Sequence, residues 1–141
     1  MGIKGNVKVH DFEILERANQ FKKAVELLKN HAGIAIPMEM NICFACELYL
    51  KYLINFRKKN VQEVYANELL YGHGLKELYD AVGDKTKRLI KNKMHDGFES
   101  RLENVQFNFK EIRYEYEYEK VTFSTGFLLK FMDVLSEICN N

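Results

Sequence analysis

The sequence has a single proline, no tryptophan and few glycines. Pro37 and eight glycines are spread over 141 residues. Long stretches therefore lack helix breakers, since an interior proline removes a backbone hydrogen bond and clashes with the preceding turn. Apolar residues make up 47% and charged residues 29%, which excludes a disordered or collagen-like chain. The length predicts one domain, residues 1–141, whose core needs neither disulfides nor metal.

Long apolar runs and a strong net charge are also missing. No window comes near the about 18 consecutive apolar residues of a membrane span, and the first residues lack the apolar segment of a signal peptide. Three cysteines, without the spacing of a disulfide framework, fit a reducing compartment. We therefore expect a cytoplasmic protein with no membrane partner. Because the net charge is only +1, any attraction to nucleic acid has to come from a local patch.

Apolar residues recur at helical spacing along most of the chain. Steps of three and four predict five helical segments, at 12–30, 37–58, 75–82, 98–112 and 124–138. The second segment is apolar over a wide surface, which predicts a central helix with several neighbours. Residues 114–119 alternate tyrosine with glutamate, a period of two that leaves strand or helix undecided. Since no convincing pair of strands is found, the sequence predicts an all-α fold, an antiparallel bundle of four to five helices.

A C-x-x-C pair, Cys43 and Cys46, lies inside the predicted central helix. Zinc needs four ligands, and no second pair of ligands accompanies this one. The four histidines do not fall at an i,i+4 ligand spacing either. We interpret both cysteines as core residues, because a free cysteine packs like a small apolar side chain. The sequence predicts no metal and no cofactor.

Charge is concentrated in two short segments. In the first, five cations fall within nine positions: Lys85, Lys87, Arg88, Lys91 and Lys93. This run could hold phosphates, but a solvated helix face that pairs with acidic neighbours is the favoured interpretation. In the second, Arg113 precedes tyrosines that alternate with glutamates. A guanidinium and aromatic rings could contact a phosphate and a base together there, or Arg113 could pair with its acidic neighbours.

Three motifs resemble HEPN domains. Residues 45–53, ACELYLKYL, are similar to the central helix of that family, in which a small residue, an acid and an aliphatic residue precede a lysine. Residues 73–79, HGLKELY, resemble the family's His-x-Leu-x-x-Leu-(Phe/Tyr) helix. The pair Arg113 and Tyr114 resembles the Arg-Tyr segment of several branches. The resemblance covers roughly residues 38 to 135.

The resemblance implies a helical bundle, commonly a homodimer, that binds nucleotide or RNA. Such domains are common in prokaryotic toxin–antitoxin and antiviral defence systems, so an antitoxin or a nucleotidyltransferase-like protein is an expected partner. Many members are metal-independent ribonucleases with an arginine, four to six polar residues and a histidine. No histidine follows Arg113, and a non-catalytic binding domain is therefore the leading hypothesis. The predicted binding residues are Arg113, Tyr114, Tyr118, Lys87 and Lys91.

Two alternatives stay open. Arg88 and His95 have six residues between them, although these include three apolar ones and precede the segment where the motif is expected. As a catalytic pair, the histidine would act as general base on a ribose 2′-OH while the arginine stabilised the phosphate. The second alternative is a structural dimerisation or adaptor bundle. In that case the tyrosines at positions 114, 116 and 118 would form a protein interface.

Overall fold

The computed structural model describes residues 11–57, 74–105 and 125–141, and these ranges form six helices and no strand. The all-α prediction is confirmed for this part of the chain. None of its helices is long and apolar enough to cross a membrane. The helices are α1 (Asp11–Leu28), α2 (Ala35–Arg57), α3 (Leu75–Asp80), α4 (Asp84–Met94), α5 (Phe98–Val105) and α6 (Thr125–Cys139).

Helix α4 was not among the five predicted segments. Its buried residues are Thr86, Ile90 and Met94, spaced four apart on one side of the helix. One of the three is polar and the rest of the helix is mostly basic, so the apolar period was too weak to detect. Gly83 precedes the helix in an extended conformation. Lys91 and Lys93 lie in its last turn, where cations interact favourably with the helix dipole.

Helix α2 is the central helix, as its wide apolar surface predicts. It packs against α1, α3 and α6. Ile42, Cys46 and Tyr49 are fully buried along its length. A helix that is apolar on most sides needs cover on most sides, and three neighbours supply that cover.

Helices α1 and α2 form an antiparallel hairpin. The Tyr49 hydroxyl donates to Asn19 Oδ1 at 2.6 Å, and the rings of Phe21 and Phe44 stack with their centroids 5.0 Å apart. Residue numbers therefore increase along α1 in the direction in which they decrease along α2, as in two antiparallel helices. The predicted antiparallel packing holds for this pair, because the short connection brings the second helix directly back along the first.

Helix α6 runs in the same direction as α2. The Thr125 hydroxyl donates to Glu39 Oε1 at 3.0 Å near the start of both helices, and Cys139 Sγ lies 3.7 Å from the Tyr49 carbonyl oxygen further along. The expectation of a purely antiparallel bundle is wrong for this pair. Residues 58–124 separate the two helices, so no short loop forces α6 to run opposite to α2.

A polar network joins α1, α2 and α6 where Asn19 lies. Asn19 and Asn140 exchange amide hydrogen bonds of 3.0 Å, and Asn140 Nδ2 also donates to the Ser136 carbonyl at 2.8 Å. Tyr49 donates to Asn19, and burial raises the pKa of its hydroxyl, which therefore remains protonated. Each member has a partner, so the hydroxyl of the buried Tyr49 is not left without a hydrogen bond.

A second cluster connects α3 and α5 to α6. Tyr79 is buried, and its ring meets Phe98 edge-on with centroids 5.2 Å apart. Phe98 packs in turn against Phe127 and Phe131 of α6. The Tyr79 hydroxyl donates to Glu99 Oε1 at 3.2 Å. These contacts and an ion pair from α4 to α6 hold helices α3 to α5 against the remainder of the described chain.

Two threonines allow a matched test of the buried polar groups. Thr86 is 1% exposed and its hydroxyl has no hydrogen-bond partner among the described residues, whereas the Thr125 hydroxyl donates to Glu39. We expect Thr86→Val to raise the free energy of unfolding by about 1 kcal/mol, because it removes an unsatisfied polar atom. Thr125→Val should lower it by about 1–3 kcal/mol, since a charge-assisted bond is lost. Urea denaturation measures both changes, and a destabilised Thr86→Val protein would contradict this account.

Candidate functional site: the outward side of α4

The candidate site follows from the way α4 is rotated against the core. Successive residues of a helix are about 100° apart. With Thr86, Ile90 and Met94 turned inward, the side opposite them carries Lys85, Arg88 and Asn92, and His95 follows directly after the helix. These four residues are exposed. We call Lys85, Arg88, Asn92 and His95 the basic face; it extends for about 15 Å.

Most of the cations of α4 are held by acidic partners. Three pairs have N···O distances below 4 Å: Lys87 with Asp84 at 3.6 Å, Lys91 with Glu99 at 3.8 Å, and Lys93 with Glu137 at 2.9 Å. Lys87 also donates to the Asp80 carbonyl at 3.3 Å. The interpretation of the basic run as a solvated, ion-paired face therefore describes three of its five cations. Exposed pairs of this kind contribute only about 0–1 kcal/mol.

Lys85 and Arg88 differ from the other cations of α4. Neither has an ion pair within the described ranges, and both are exposed, one helical turn apart. Leu89, with 43% of its surface exposed, lies beside them. Lys85 was not among the predicted site residues. The sequence signal that could have identified it is its position opposite the Thr86, Ile90 and Met94 stripe.

His95 has an unusual backbone conformation. Its N–H donates to the Lys91 carbonyl at 2.9 Å and ends α4, and its φ is 74° with ψ at −177°. That region is populated almost only by glycine and costs a residue with a side chain about 1–3 kcal/mol. Strain of this size persists only where the surrounding structure over-determines it, and strained residues are enriched at active and ligand-binding sites. Here it places an exposed imidazole at the end of the basic face.

Arg88 and His95 are both exposed, and about 10 Å of helical rise separates them. Two of the three apolar residues between them, Ile90 and Met94, are buried in the core, and Leu89 lies at the flank of the basic face. The apolar residues inside the Arg88–His95 interval thus have a structural explanation. The two side chains are able to face the same stretch of a phosphodiester backbone.

The other predicted binding residues, Arg113, Tyr114 and Tyr118, lie outside the described residues, as does Tyr116. A pocket built from the arginine and the tyrosines stays a prediction. The same holds for the tyrosine interface of the adaptor alternative.

The cysteines are buried in the core, as their interpretation requires. Burial, together with the nearby Cys43, raises the pKa of the Cys46 thiol, and burial raises that of Cys139 to about 12. Neither thiol is activated, since a reactive or metal-binding cysteine needs a lowered pKa. Within the three described ranges, no group of three or more His, Cys, Asp or Glu side chains could hold a metal ion.

A groove runs along α1, and none of its lining residues belongs to α4. Its volume is about 720 Å³. It is lined by Phe12, Glu13, Glu16, Arg17, Gln20, Phe21, Ala24 and Asn41. Two carboxylates against one guanidinium make this groove a poor match for a phosphate, and we do not assign the ligand site to it.

The strain at His95 predicts a stability gain on its removal. His95→Gly should raise the free energy of unfolding by about 1 kcal/mol, because glycine adopts the same φ and ψ without a clash. His31→Gly is the matched control, since His31 is also exposed and has no positive φ. The control should leave stability unchanged or lower it slightly. Thermal and urea denaturation measure both, and equal effects of the two variants would contradict the strain at position 95.

Comparison of the chain with family models, with curated proteins and with solved structures finds no match. The likeness to HEPN domains accordingly rests on the three sequence motifs alone.

Proposed function

We propose that the chain is a HEPN-like domain that binds RNA or nucleotide phosphates through the basic face of α4 without cutting them. The observation that carries the proposal is the pair Lys85 and Arg88, which are exposed and have no acidic partner among the described residues. A guanidinium can donate two parallel hydrogen bonds to a phosphate, and a lysine adds a point charge. His95 extends the same face at its far end.

The charge distribution supports a phosphate ligand at this location. The whole chain has a formal charge of +1, yet α4 alone carries five cations and one acid in 11 residues. Binding to a polyanion is driven mainly by the release of counterions, and its strength depends on local cations more than on net charge. The HEPN-like motifs support placing this activity in a prokaryotic toxin–antitoxin or defence system, in a homodimer or with an antitoxin-like partner.

Neutralising either free cation should weaken RNA binding. We expect Arg88→Gln and Lys85→Gln each to lower the affinity for a labelled oligoribonucleotide, and to reduce the slope of log K against log salt by about 0.7. Fluorescence anisotropy between about 50 and 200 mM salt measures both quantities. Lys23→Gln is the control, because Lys23 is an exposed lysine of α1 with no ion pair in the described part of the chain. An equal loss in the control, or no binding by the unmodified protein, would refute the proposal.

A metal-independent ribonuclease is the second candidate. It is favoured by one observation, the strained and exposed His95 that directly follows the helix carrying Arg88. In that mechanism the imidazole removes the proton of a ribose 2′-OH, and the 2′-oxygen attacks the adjacent phosphorus to form a 2′,3′-cyclic phosphate. The bond to the 5′-oxygen breaks, and this oxygen leaves as a hydroxyl after taking a proton from water. Arg88 would stabilise the charge of the pentavalent phosphate.

Cleavage of end-labelled RNA in the presence of a chelator separates the two candidates. The binding proposal predicts intact RNA with the unmodified protein. If the protein cuts RNA and His95→Ala abolishes cutting, while Lys23→Gln does not, the ribonuclease is correct and the non-catalytic proposal is wrong. Intact RNA in a preparation that binds it excludes the ribonuclease.

A further inference from the structure

We infer that the basic face recognises a run of consecutive backbone phosphates, and neither a single nucleotide nor a particular base. The inference rests on the proposed function, whose site it shares. It assigns the ligand class that the dimensions and side chains of the face can accommodate.

The length of the face matches several phosphates. Lys85 and His95 are about 15 Å apart along the axis, and Arg88 lies about one turn from Lys85. A nucleic-acid strand in helical geometry places one phosphate per about 3.4 Å of axis. The distance of about 15 Å between Lys85 and His95 therefore corresponds to about four phosphate spacings. The phosphates of one nucleotide could contact Lys85 and Arg88 but would leave His95 without a ligand.

The shape of the site also disfavours a single nucleotide. Small ligands bind in concave sites that cover most of their surface. The basic face lies on the exposed side of α4, and the groove found in the described part of the chain lies along α1. A polyanion needs no such enclosure, because a row of separate contacts to its backbone supplies the affinity.

The side chains on α4 provide little means of distinguishing bases. Base stacking on a protein requires an aromatic ring or a guanidinium plane. Residues 84–97 contain no tyrosine, phenylalanine or tryptophan, so stacking there is limited to the Arg88 guanidinium and the His95 imidazole, and stacking tolerates any base because every base has a π-face. Leu89 offers only methyl groups. The Asn92 amide can donate to a phosphate oxygen between Arg88 and His95. Base identity should thus contribute little to affinity.

Lys91 can add to the run when a long ligand is bound. Its side chain is 58% exposed and its partner Glu99 is 3.8 Å away, the longest of the three pairs in α4. A loose exposed pair is readily exchanged for a phosphate, since it is worth at most about 1 kcal/mol. Lys93, at 2.9 Å from Glu137, is held more firmly.

A length series tests the inference. The affinity of each competitor is measured from its displacement of a labelled oligonucleotide. The competitors are uridine monophosphate, a dinucleotide, and oligouridylates of about four and eight nucleotides. Oligoadenylates of equal length serve as the base control. We expect affinity to rise roughly tenfold or more from one to four nucleotides and to level off afterwards, as the number of phosphate contacts saturates. Uridylates and adenylates should bind alike. His95→Gln should reduce the gain with length, whereas His31→Gln, at another exposed histidine, should not.

The outcomes separate this inference from the proposed function. If uridine monophosphate competes as well as the longest oligonucleotide, or if one base is strongly preferred, the phosphate run is wrong while phosphate binding stands. If affinity rises equally with oligonucleotide length in Arg88→Glu and in the unmodified protein, the run of phosphates is bound elsewhere. The assignment to the basic face is then wrong. If neither oligonucleotides nor nucleotides bind at any salt concentration, the proposed function fails and the inference fails with it.

Discussion

The burial of Ile90 and Met94 sets the rotation of α4, and the candidate site depends on that rotation. Both side chains are packed in the core, and full burial of such a residue is worth about 1.5–3 kcal/mol. A turn of the helix by one residue would expose them and bring lysines inward, at a cost that no surface ion pair could offset. Lys85 and Arg88 are held outward because their inward-facing neighbours are apolar.

Local electrostatics then separates the cations of α4 into two groups. Lys87, Lys91 and Lys93 form ion pairs with acids on α4 itself, α5 and α6, while Lys85 and Arg88 are exposed and have no ion pair within the described ranges. The net charge of the chain does not show this difference, because acidic residues elsewhere offset the positive charge of α4. A binding surface on a nearly neutral protein is possible because screening limits each charge to interactions within about 10 Å.

His95 illustrates a cost that packing alone does not explain. The residue that ends α4 has a positive φ, and so does Gly97 two positions later, with φ at 79°. Stability would favour glycine at both positions. A histidine at the first one exchanges stability for an imidazole at a defined place, a pattern common where residues contact ligands. In contrast, the buried cysteines and the Asn19–Tyr49–Asn140 network are satisfied internally and need no ligand to account for them.

The sequence by itself determined that residues 11–57, 74–105 and 125–141 are mainly helical, that α2 is the central helix among them, and that Cys43 and Cys46 belong to the core, because apolar spacing and side-chain volume act locally. The sequence also contains every residue of the basic face, but it does not show which of the five cations of α4 are ion-paired. The helix itself was not predicted, because the stripe of buried residues that includes Thr86 is only weakly apolar. The tertiary structure decided which cations are neutralised, because their partners Glu99 and Glu137 come from other helices. It likewise decided that α6 runs parallel to α2. The packing of helices that are distant in sequence is set by how their surfaces fit, and the apolar spacing of either helix does not encode it.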